Sequence, residues 1–302
     1  MPDVSEIEKP LAEFKPEHGF FVGIDSDGCA FDSMEIKHKE CFAPNFIKYF
    51  GLQPVSKYAR EAFEFVNLYS KWRGINRWPA MIRSLDATRE RAEVIARKFS
   101  VPTLPEVRKF IESGLPLSND GMKKYIAAHD HPELRNALEW SEAVNRTVED
   151  IVHGVPPYPF VRESLEQIKA VADIIVVSAT PGEALKREWH ENKIAQYARI
   201  IAGQEMGTKE RHLSLAAKGK YPPEKILMVG DAPGDLKAAR SIGALFFPIN
   251  PGHEDASWQR FHTEAFAKFT AGTFAGEYEK KLIAEFEALL PETPPWKKSD
   301  KK

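Results

Sequence analysis

Two aspartates, Asp25 and Asp27, stand at the end of a short apolar run and are the residues of this chain best suited to chemistry. The run Phe20–Ile24 predicts a buried strand, with both carboxylates at its carboxyl edge. Residues two apart on a strand point the same way, so one site is expected to hold both side chains. Such a pair binds a hard divalent cation and also supplies a nucleophile or an acid–base group.

Polar residues also follow two later apolar runs, in a consistent order along the chain. Ser178 and Thr180 follow one predicted strand, Asp231 and Asp235 follow another, and Lys209 begins a predicted helix between them. The alternative is that each residue merely caps the next turn or helix. Because the carboxyl ends of strands in an open α/β sheet meet at one crevice, we favour a shared site.

Strand and helix patterns alternate from about residue 160 to residue 247, as expected for a parallel sheet. Residues 34–152 instead show helical periodicity broken by glycines and prolines, so this stretch is predicted to be an all-helical insertion. The predicted strands are Phe20–Asp25, Asp173–Ser178, Arg199–Ala202, Lys225–Gly230 and Ala244–Phe247.

These patterns divide the 302 residues into four predicted parts. The α/β core takes 20–33 and 153–253, the helical insertion 34–152, a C-terminal helical extension 254–290, and two tails 1–19 and 291–302. The C-terminal tail is rich in proline and lysine, which predicts disorder. The N-terminal tail lacks the basic start and apolar core of a secretory signal.

The composition predicts a globular protein: 43% of the residues are hydrophobic and 28% are charged. A net charge of -2 supplies no broad positive field, so nucleic acid is not an expected partner. No apolar run approaches the roughly 20 residues that cross a bilayer, so no membrane partner is expected. With two cysteines and no secretory signal, we expect a cytoplasmic protein.

Four segments taken together resemble the haloacid dehalogenase (HAD) superfamily. They are Asp25-Ser26-Asp27-Gly28, Ser178, Lys209 and Gly230-Asp231-Ala232-Pro233-Gly234-Asp235, in the family's order. The resemblance covers 20–249, and the insertion falls where the family's C1-type helical cap lies. It implies an α/β fold, a doubly wound parallel-sheet (Rossmann-like) core with an inserted all-helical cap domain.

The resemblance also implies a role for each motif residue. Asp25 would be the nucleophile that forms an aspartyl-phosphate, and Asp27 the acid–base group. The metal-binding residues would be Asp25, Asp27 through its backbone carbonyl, Asp231 and Asp235, the last as ligand or support, and the cofactor would be Mg2+. The remaining implied residues are Ser178 and Lys209 at the phosphoryl group, with Gly28 and Thr180 as substrate contacts. Lys218 and Lys220 stay open as alternatives to Lys209, and helix capping as an alternative for Thr180.

Within the insertion, Gly74-Ile75-Asn76-Arg77 is similar to the glycine-x-x-arginine specificity loop of C1 caps. Arginine binds phosphate or carboxylate with two parallel hydrogen bonds, so Arg77 is a predicted substrate contact for a small phosphorylated metabolite. The alternative is that the cations near it are solvated and that Trp72 and Trp78 pack in the core.

Asp27 points to phosphate ester chemistry, because family members that cleave carbon–halogen or carbon–phosphorus bonds do not keep a carboxylate there. We therefore expect a Mg-dependent phosphomonoester hydrolase. The alternatives are a phosphomutase of the same superfamily and a non-catalytic HAD-fold binding protein.

Overall fold

Five parallel strands form the sheet of the computed structural model, which describes residues 5–297. In space their order is β3-β2-β1-β4-β5, so the first strand lies at the centre between β2 and β4. The predicted doubly wound parallel sheet is thus confirmed. The strands are β1 (Phe20–Ile24), β2 (Ala172–Val177), β3 (Ile200–Ala202), β4 (Ile226–Gly230) and β5 (Leu245–Pro248).

Helices make up most of the remaining structure. Two π-helical stretches, Lys37–Phe42 and Phe261–Ala265, continue helices α2 and α14. The α-helices are α1 (Lys9–Ala12), α2 (Ser33–Ile36), α3 (Ala43–Tyr49), α4 (Ser56–Leu68), α5 (Arg77–Arg89), α6 (Ala92–Ala96), α7 (Pro105–Glu112), α8 (Asn119–Ala128), α9 (Pro132–Ile151), α10 (Val161–Lys169), α11 (Gly182–Glu191), α12 (Lys209–Ala216), α13 (Pro233–Ser241), α14 (Glu254–Arg260), α15 (Phe266–Thr270) and α16 (Glu277–Leu289).

The central strands are apolar along their whole length because helices cover both faces of the sheet. On one face, Val22 and Ile24 share a core with residues of α10, α14 and α15. On the other face, a side-chain carbon at Gly23 would lie 3.0 Å from Leu213 of α12. Glycine therefore lets α12, which begins at Lys209, pack directly on the central strand.

The chain divides into two compact units, each described here by itself. Unit 1 takes the residues up to Met34 together with Gly154–Leu289, and it contains the sheet. Unit 2 takes Glu35–His153 and the residues from Leu290 onward. In the described part of unit 2 the regular elements are helices, packed around Trp78, Trp140 and several phenylalanines.

The two tryptophans predicted as alternatives for the core of the insertion differ in burial. Trp78 is fully buried, whereas Trp72 is partly buried at a smaller apolar cluster.

Among the described residues, no helix combines the length and the apolar character needed to span a bilayer.

The predicted tails are ordered wherever the structure describes them, and the prediction of a disordered C-terminal tail is wrong for Pro291–Lys297. The Trp296 ring contacts the Phe65 ring of unit 2. In the N-terminal segment, Leu11 is buried in unit 1. Glu8 pairs with Arg211 of α12 at 2.6 Å. Composition misjudged Pro291–Lys297 because the contacts of a partly buried tryptophan, Trp296, hold this short polar stretch against unit 2. Residues 1–4 and 298–302 lie outside the described residues.

One buried carboxylate, that of Asp173 at the start of β2, holds the amino edge of the sheet together. Its oxygens accept hydrogen bonds from the backbone amides of Glu17 and His18, both at 2.9 Å, and from the Tyr221 hydroxyl at 2.6 Å. Arg199 pairs with it at 2.6 Å. Burial opposes ionisation, but these hydrogen bonds and the Arg199 charge lower the pKa of Asp173 to about 2. The same carboxylate therefore joins segments that precede β1, β3 and β4.

We expect Asp173→Asn to lower the free energy of unfolding by about 2 kcal/mol at pH 7, because the native pKa lies below the unfolded value. This stability is present above the unfolded pKa, near 4, and is lost as pH falls toward 2. Urea unfolding across this range, with the exposed Asp150→Asn as control, measures it. A difference between wild type and Asp173→Asn that stays constant with pH would contradict the assignment.

Candidate active site

The polar residues predicted at three strand ends meet at the carboxyl edge of the sheet. Asp25 follows β1, Ser178 follows β2 and Asp231 follows β4, and each of the three is buried. They meet because β1 lies between β2 and β4, with Ile24 in register with Val176 and Val229. The parallel order of the strands is therefore what gathers these side chains.

Three of the carboxylates form a tight buried group. Asp25, Asp231 and Asp235 each present an atom within 4.8 Å of the others. Asp235 lies in the first turn of α13, and its Oδ2 accepts the backbone amides of Asp231 at 3.1 Å and Ala232 at 3.0 Å. It thus caps the helix and faces the site at once. The role of Asp235 as a metal ligand or as support for the ligands stays a prediction.

The glycine that precedes Asp231 is required by close approach. A side-chain carbon at Gly230 would lie 2.4 Å from Cβ of Asp235, a distance that real side chains do not reach. The Gly-Asp pair in the sequence is therefore a packing requirement: the small residue lets α13 bring its carboxylate against the end of β4.

Lys209 lies between two members of this group. Its ammonium is 2.7 Å from Oδ2 of Asp25 and 2.6 Å from Oδ1 of Asp235. Thr208 caps the helix in front of it by accepting the amide of Arg211. Lys220, an alternative in the sequence, donates instead to the carbonyls of Leu11 and Ala12. Lys209 is therefore the lysine that faces the acidic group.

Burial and like charges shift the ionisation of this group. Burial raises the pKa of the Asp25 carboxyl well above its usual value; Lys209 opposes this, and the charges of Asp235 and Asp231 add to it. Burial alone would lower the pKa of Lys209, but the charges of Asp235 and Asp25 outweigh it and raise the pKa above its usual value. The lysine is accordingly held as a cation, and it offsets part of the negative charge around Asp25.

The Asp27 carboxylate is not a member of the three-carboxylate group. The hydroxyl of Ser33 donates to its Oδ1 at 2.5 Å, and the hydroxyl of Thr180 donates to its Oδ2 at 2.7 Å. The expectation that Asp25 and Asp27 point the same way assumed a strand through both residues. The strand ends at Ile24, so the alternation of a strand does not govern Asp27.

The turn after Asp25 explains this difference. The carbonyl of Ser26 accepts the amides of Cys29, Ala30 and Phe31, and Gly28 adopts the left-handed backbone that glycine favours, with φ of 72°. The amide of Gly28 donates to the carbonyl of Phe31 at 2.8 Å. Gly28, predicted as a substrate contact, therefore has a structural use in closing the turn.

Ser26, which stands between the two aspartates, is fixed from α11. The indole Nε1 of Trp189 donates to its hydroxyl at 3.0 Å, and the hydroxyl donates to Glu188 at 3.2 Å. Sequence patterns did not single out Trp189, and they assigned no role at the site to Ser26 or Ser33. The one available signal was the position of Ser26 and Ser33 inside or just after the aspartate motif.

Ser178 and Thr180 occupy the turn between β2 and α11. The Ser178 hydroxyl accepts the amide of Thr180 at 3.2 Å, and Ser178 itself is buried beside the strand end. The carbonyl of Thr180 accepts the amide of Gln204, which follows β3. The hydroxyl of Thr180 thus reaches Asp27 from a backbone that the neighbouring loop holds in place.

Arg77, the predicted substrate contact of the insertion, lies in unit 2 at the start of α5. Its Nη1 donates to the carbonyl and hydroxyl of Ser141 and to Oδ1 of Asn145, at 2.8 to 3.1 Å. The guanidinium also lies 5.1 Å from the ring centre of Phe42, and burial lowers its pKa to about 10. The contacts described for Arg77 therefore join α5 to α9 and to the π-helical stretch Lys37–Phe42.

Comparison with known proteins supports the family that the motifs resemble. A family model described as haloacid dehalogenase-like hydrolase matches residues 78–249, which is more than half of the chain and includes Ser178, Lys209, Asp231 and Asp235. The search of curated proteins gave no match.

The solved structures that this chain matches share little sequence with it. A haloacid dehalogenase-like family hydrolase from Streptococcus pneumoniae is 13% identical, with a TM-score of 0.49, and the match covers 81% of this chain and 91% of that one. A candidate phosphoglycolate phosphatase from Lactobacillus delbrueckii subsp. bulgaricus is 14% identical, with a TM-score of 0.48 and coverage of 82% and 92%.

The family model begins after the first strand, so it does not itself include Asp25 and Asp27. The sheet supplies the missing link, because it places Asp25 against Lys209 and Asp231, both of which lie inside the match. The resemblance seen in the motifs is thereby confirmed, while the C1 type of the cap stays a prediction. This chain belongs to the haloacid dehalogenase-like hydrolase family.

Proposed function

We propose that this hydrolase is a magnesium-dependent phosphatase that acts on a small phosphomonoester through an aspartyl-phosphate on Asp25. The observation that carries the proposal is the contrast between two nearby aspartates. Asp25 is buried against Lys209 within a group of carboxylates, whereas Asp27 is held apart by two hydroxyls. This contrast supports Asp25 as the proposed nucleophile and Asp27 as the proposed acid–base group.

The charge of the buried group supports a divalent cation. Lys209 pairs with Asp25 and Asp235, and its single ammonium would offset only one of the three negative charges that Asp25, Asp231 and Asp235 carry when all are ionised. Buried carboxylates need a compensating charge, and oxygen ligands are those that Mg2+ prefers. We propose that Asp25, Asp231 and the backbone carbonyl of Asp27 hold the ion.

Asp235 supports these ligands in the proposal. Its two oxygens already accept hydrogen bonds, Oδ2 from the amides of Asp231 and Ala232 and Oδ1 from Lys209. Through these bonds it fixes the backbone of Asp231 and the ammonium of Lys209. Bound magnesium would supply positive charge that offsets the charge of the substrate phosphate.

The reaction balances with groups of this chain. A carboxylate oxygen of Asp25 forms a bond to phosphorus while the bond to the ester oxygen breaks, and Asp27 donates a proton to the departing alcohol. Asp27 then takes a proton from water as the water oxygen attacks phosphorus. The bond to Asp25 breaks, which releases inorganic phosphate and restores the carboxylate. Lys209 offsets charge on the phosphoryl group, and Ser178 donates a hydrogen bond to it.

The proposed substrate class rests on the net charge of the chain and on residues of unit 2. A net charge of -2 gives no general attraction for polyanions, so we propose a small phosphorylated metabolite. In unit 2 the loop 70–76 and the adjacent Arg77 are the proposed recognition elements. The hydrogen bonds described for Arg77 use Nη1, which leaves Nε and Nη2 as the donors assigned to a substrate anion.

The decisive experiment measures phosphate release from a panel of phosphorylated metabolites with magnesium. We expect chelation to abolish release, and Asp25→Asn to lower it by at least about 10³-fold, because loss of a covalent nucleophile removes the main route. Asp255→Asn, an exposed aspartate of α14, is the matched control.

Normal turnover by Asp25→Asn would overturn the assignment of the nucleophile. The same reaction mixtures separate a phosphatase from a mutase, since a mutase would convert a sugar phosphate into its isomer while free phosphate stays low. We expect free phosphate to accumulate in step with substrate loss.

We expect Lys209→Gln to lower the free energy of unfolding by about 3–5 kcal/mol in metal-free buffer, because it leaves buried carboxylates without their cation. Lys237→Gln is the control, since Lys237 is an exposed lysine on α13 whose nearest carboxylate lies 3.8 Å away. Urea unfolding measures both. Equal stability of the two variants would show that Lys209 does not balance this group.

We expect Thr180→Val to lower kcat by about tenfold with KM little changed, since it removes one hydrogen bond that orients Asp27. Thr180→Ser keeps the hydroxyl and should retain most of the activity. Steady-state kinetics with the best substrate of the panel test this. A valine variant as fast as wild type would show that the bond from Thr180 to Asp27 has no part in turnover.

A further inference from the structure

The C-terminal segment 291–297 packs against the loop 70–76, which connects α4 to α5 in unit 2. The amide of Lys71 donates to the carbonyl of Pro291 at 3.4 Å. The ammonium of Lys71 pairs with Glu292 at 2.6 Å. The C-terminal segment 291–297 is therefore joined to this loop by both a backbone and a side-chain contact.

An aromatic contact strengthens this junction. The ring of Trp296 meets Phe65 of α4 edge to face, with centroids 5.5 Å apart. Trp72 and Ile75 of the loop pack on the same small cluster, and the Trp72 ring lies 6.3 Å from Phe65. The loop and the C-terminal segment thus pack on the same apolar cluster, the loop through Trp72 and Ile75 and the segment through Trp296.

A buried arginine anchors Trp296 from its other face. The guanidinium of Arg91 lies 4.5 Å from the Trp296 ring centre and 5.1 Å from that of Tyr58. The Arg91 side chain is 5% exposed and pairs with Glu61 at 2.8 Å. Because ion pairing and burial fix its position, it presents a rigid cation to the indole. Lys297 adds an ion pair with Glu90 at 2.5 Å.

The loop also has restraints besides those of the C-terminal segment: Asn76 donates to the carbonyl of Leu117 at 2.8 Å, and the Arg83 guanidinium lies 4.8 Å from the Trp72 ring centre. The loop lies between helices that end at Leu68 and begin at Arg77, and its internal bonds are local. The Ser70 hydroxyl donates to the carbonyl of Val66 at 3.0 Å, and Arg73 donates to that of Leu68 at 3.0 Å. The C-terminal segment adds the contacts of Pro291 and Glu292 with Lys71 to these restraints.

We infer that the C-terminal segment 291–297 is a specificity-determining part of the substrate site, because it holds the loop 70–76 in its binding conformation. The inference rests on the proposed function, which assigns this loop and Arg77 to the recognition of a small phosphomonoester. A loop that is ordered before binding costs the substrate less free energy than one that must be ordered by it. When the ordered fraction falls, the apparent affinity falls by the same factor.

The test compares Trp296→Ala, Trp296→Phe and two shortened chains, one ending at Leu290 and one at Lys297. The first readout is limited trypsin digestion, with cleavage after Lys71 and Arg73 identified by mass. We expect Trp296→Ala and the chain ending at Leu290 to be cut at the loop about tenfold faster than wild type, because a cation–π contact and an aromatic pair are lost. Cleavage after the exposed Lys186 of unit 1 should stay unchanged in every variant.

The second readout is steady-state kinetics on the best phosphomonoester of the panel. We expect the same two variants to raise KM about fivefold, because fewer molecules hold the ordered loop, while kcat stays within about twofold. Trp296→Phe, which keeps an aromatic face over Arg91, should recover much of the loss. The chain ending at Lys297 should behave as wild type.

Unchanged loop cleavage in Trp296→Ala would overturn the inference, and so would faster cleavage with an unchanged KM. A fall in kcat with constant KM would also overturn it, since it would place the effect in the chemical step. Failure of the proposed function is a separate result: wild type would release no phosphate from any substrate, whereas loop cleavage would still report whether the segment holds the loop.

Discussion

The ion pairs of Lys209 are the interaction on which the rest of this site depends. Three carboxylates lie out of water near one another, and a single ammonium bridges two of them. This arrangement requires the end of β1 and the starts of α12 and α13 to converge within hydrogen-bonding distance. Gly23 and Gly230 permit that convergence, because a larger side chain at either position would push a helix away from the sheet.

Two aspartates separated by one residue acquire different chemistry from their surroundings. Burial and neighbouring negative charge act on Asp25, whereas hydroxyls of Ser33 and Thr180 orient Asp27. The turn closed by Gly28 separates the two environments, since it takes Asp27 out of line with the strand. The proposed division of roles, with Asp25 as nucleophile and Asp27 as proton carrier, rests on this one change of backbone direction.

The fold and the central residues of the site could be predicted from the sequence because parallel strands end at a common edge. Five apolar runs gave the strands to within a residue or two, and the polar residues after them indicated Asp25, Ser178 and Asp231. Lys209 was harder to predict, because only packing distinguishes it from Lys220. The hydroxyl partners of Asp27 were not predictable, since they depend on a turn and on a loop more than 150 residues away. The contacts of Arg77 with α9 join residues 64 positions apart in the sequence, so local sequence patterns could not predict them.

The packing of segment 291–297 on unit 2 has a consequence for biosynthesis. Glu90 and Lys297, which pair in the folded protein, are 207 positions apart in sequence. During translation the helical unit therefore acquires this packing partner only after segment 291–297 has left the ribosome, well after the sheet and its acidic residues have been made. A polypeptide released by a nonsense codon before position 291 would keep the acidic group at the edge of the sheet but would lack these contacts of unit 2.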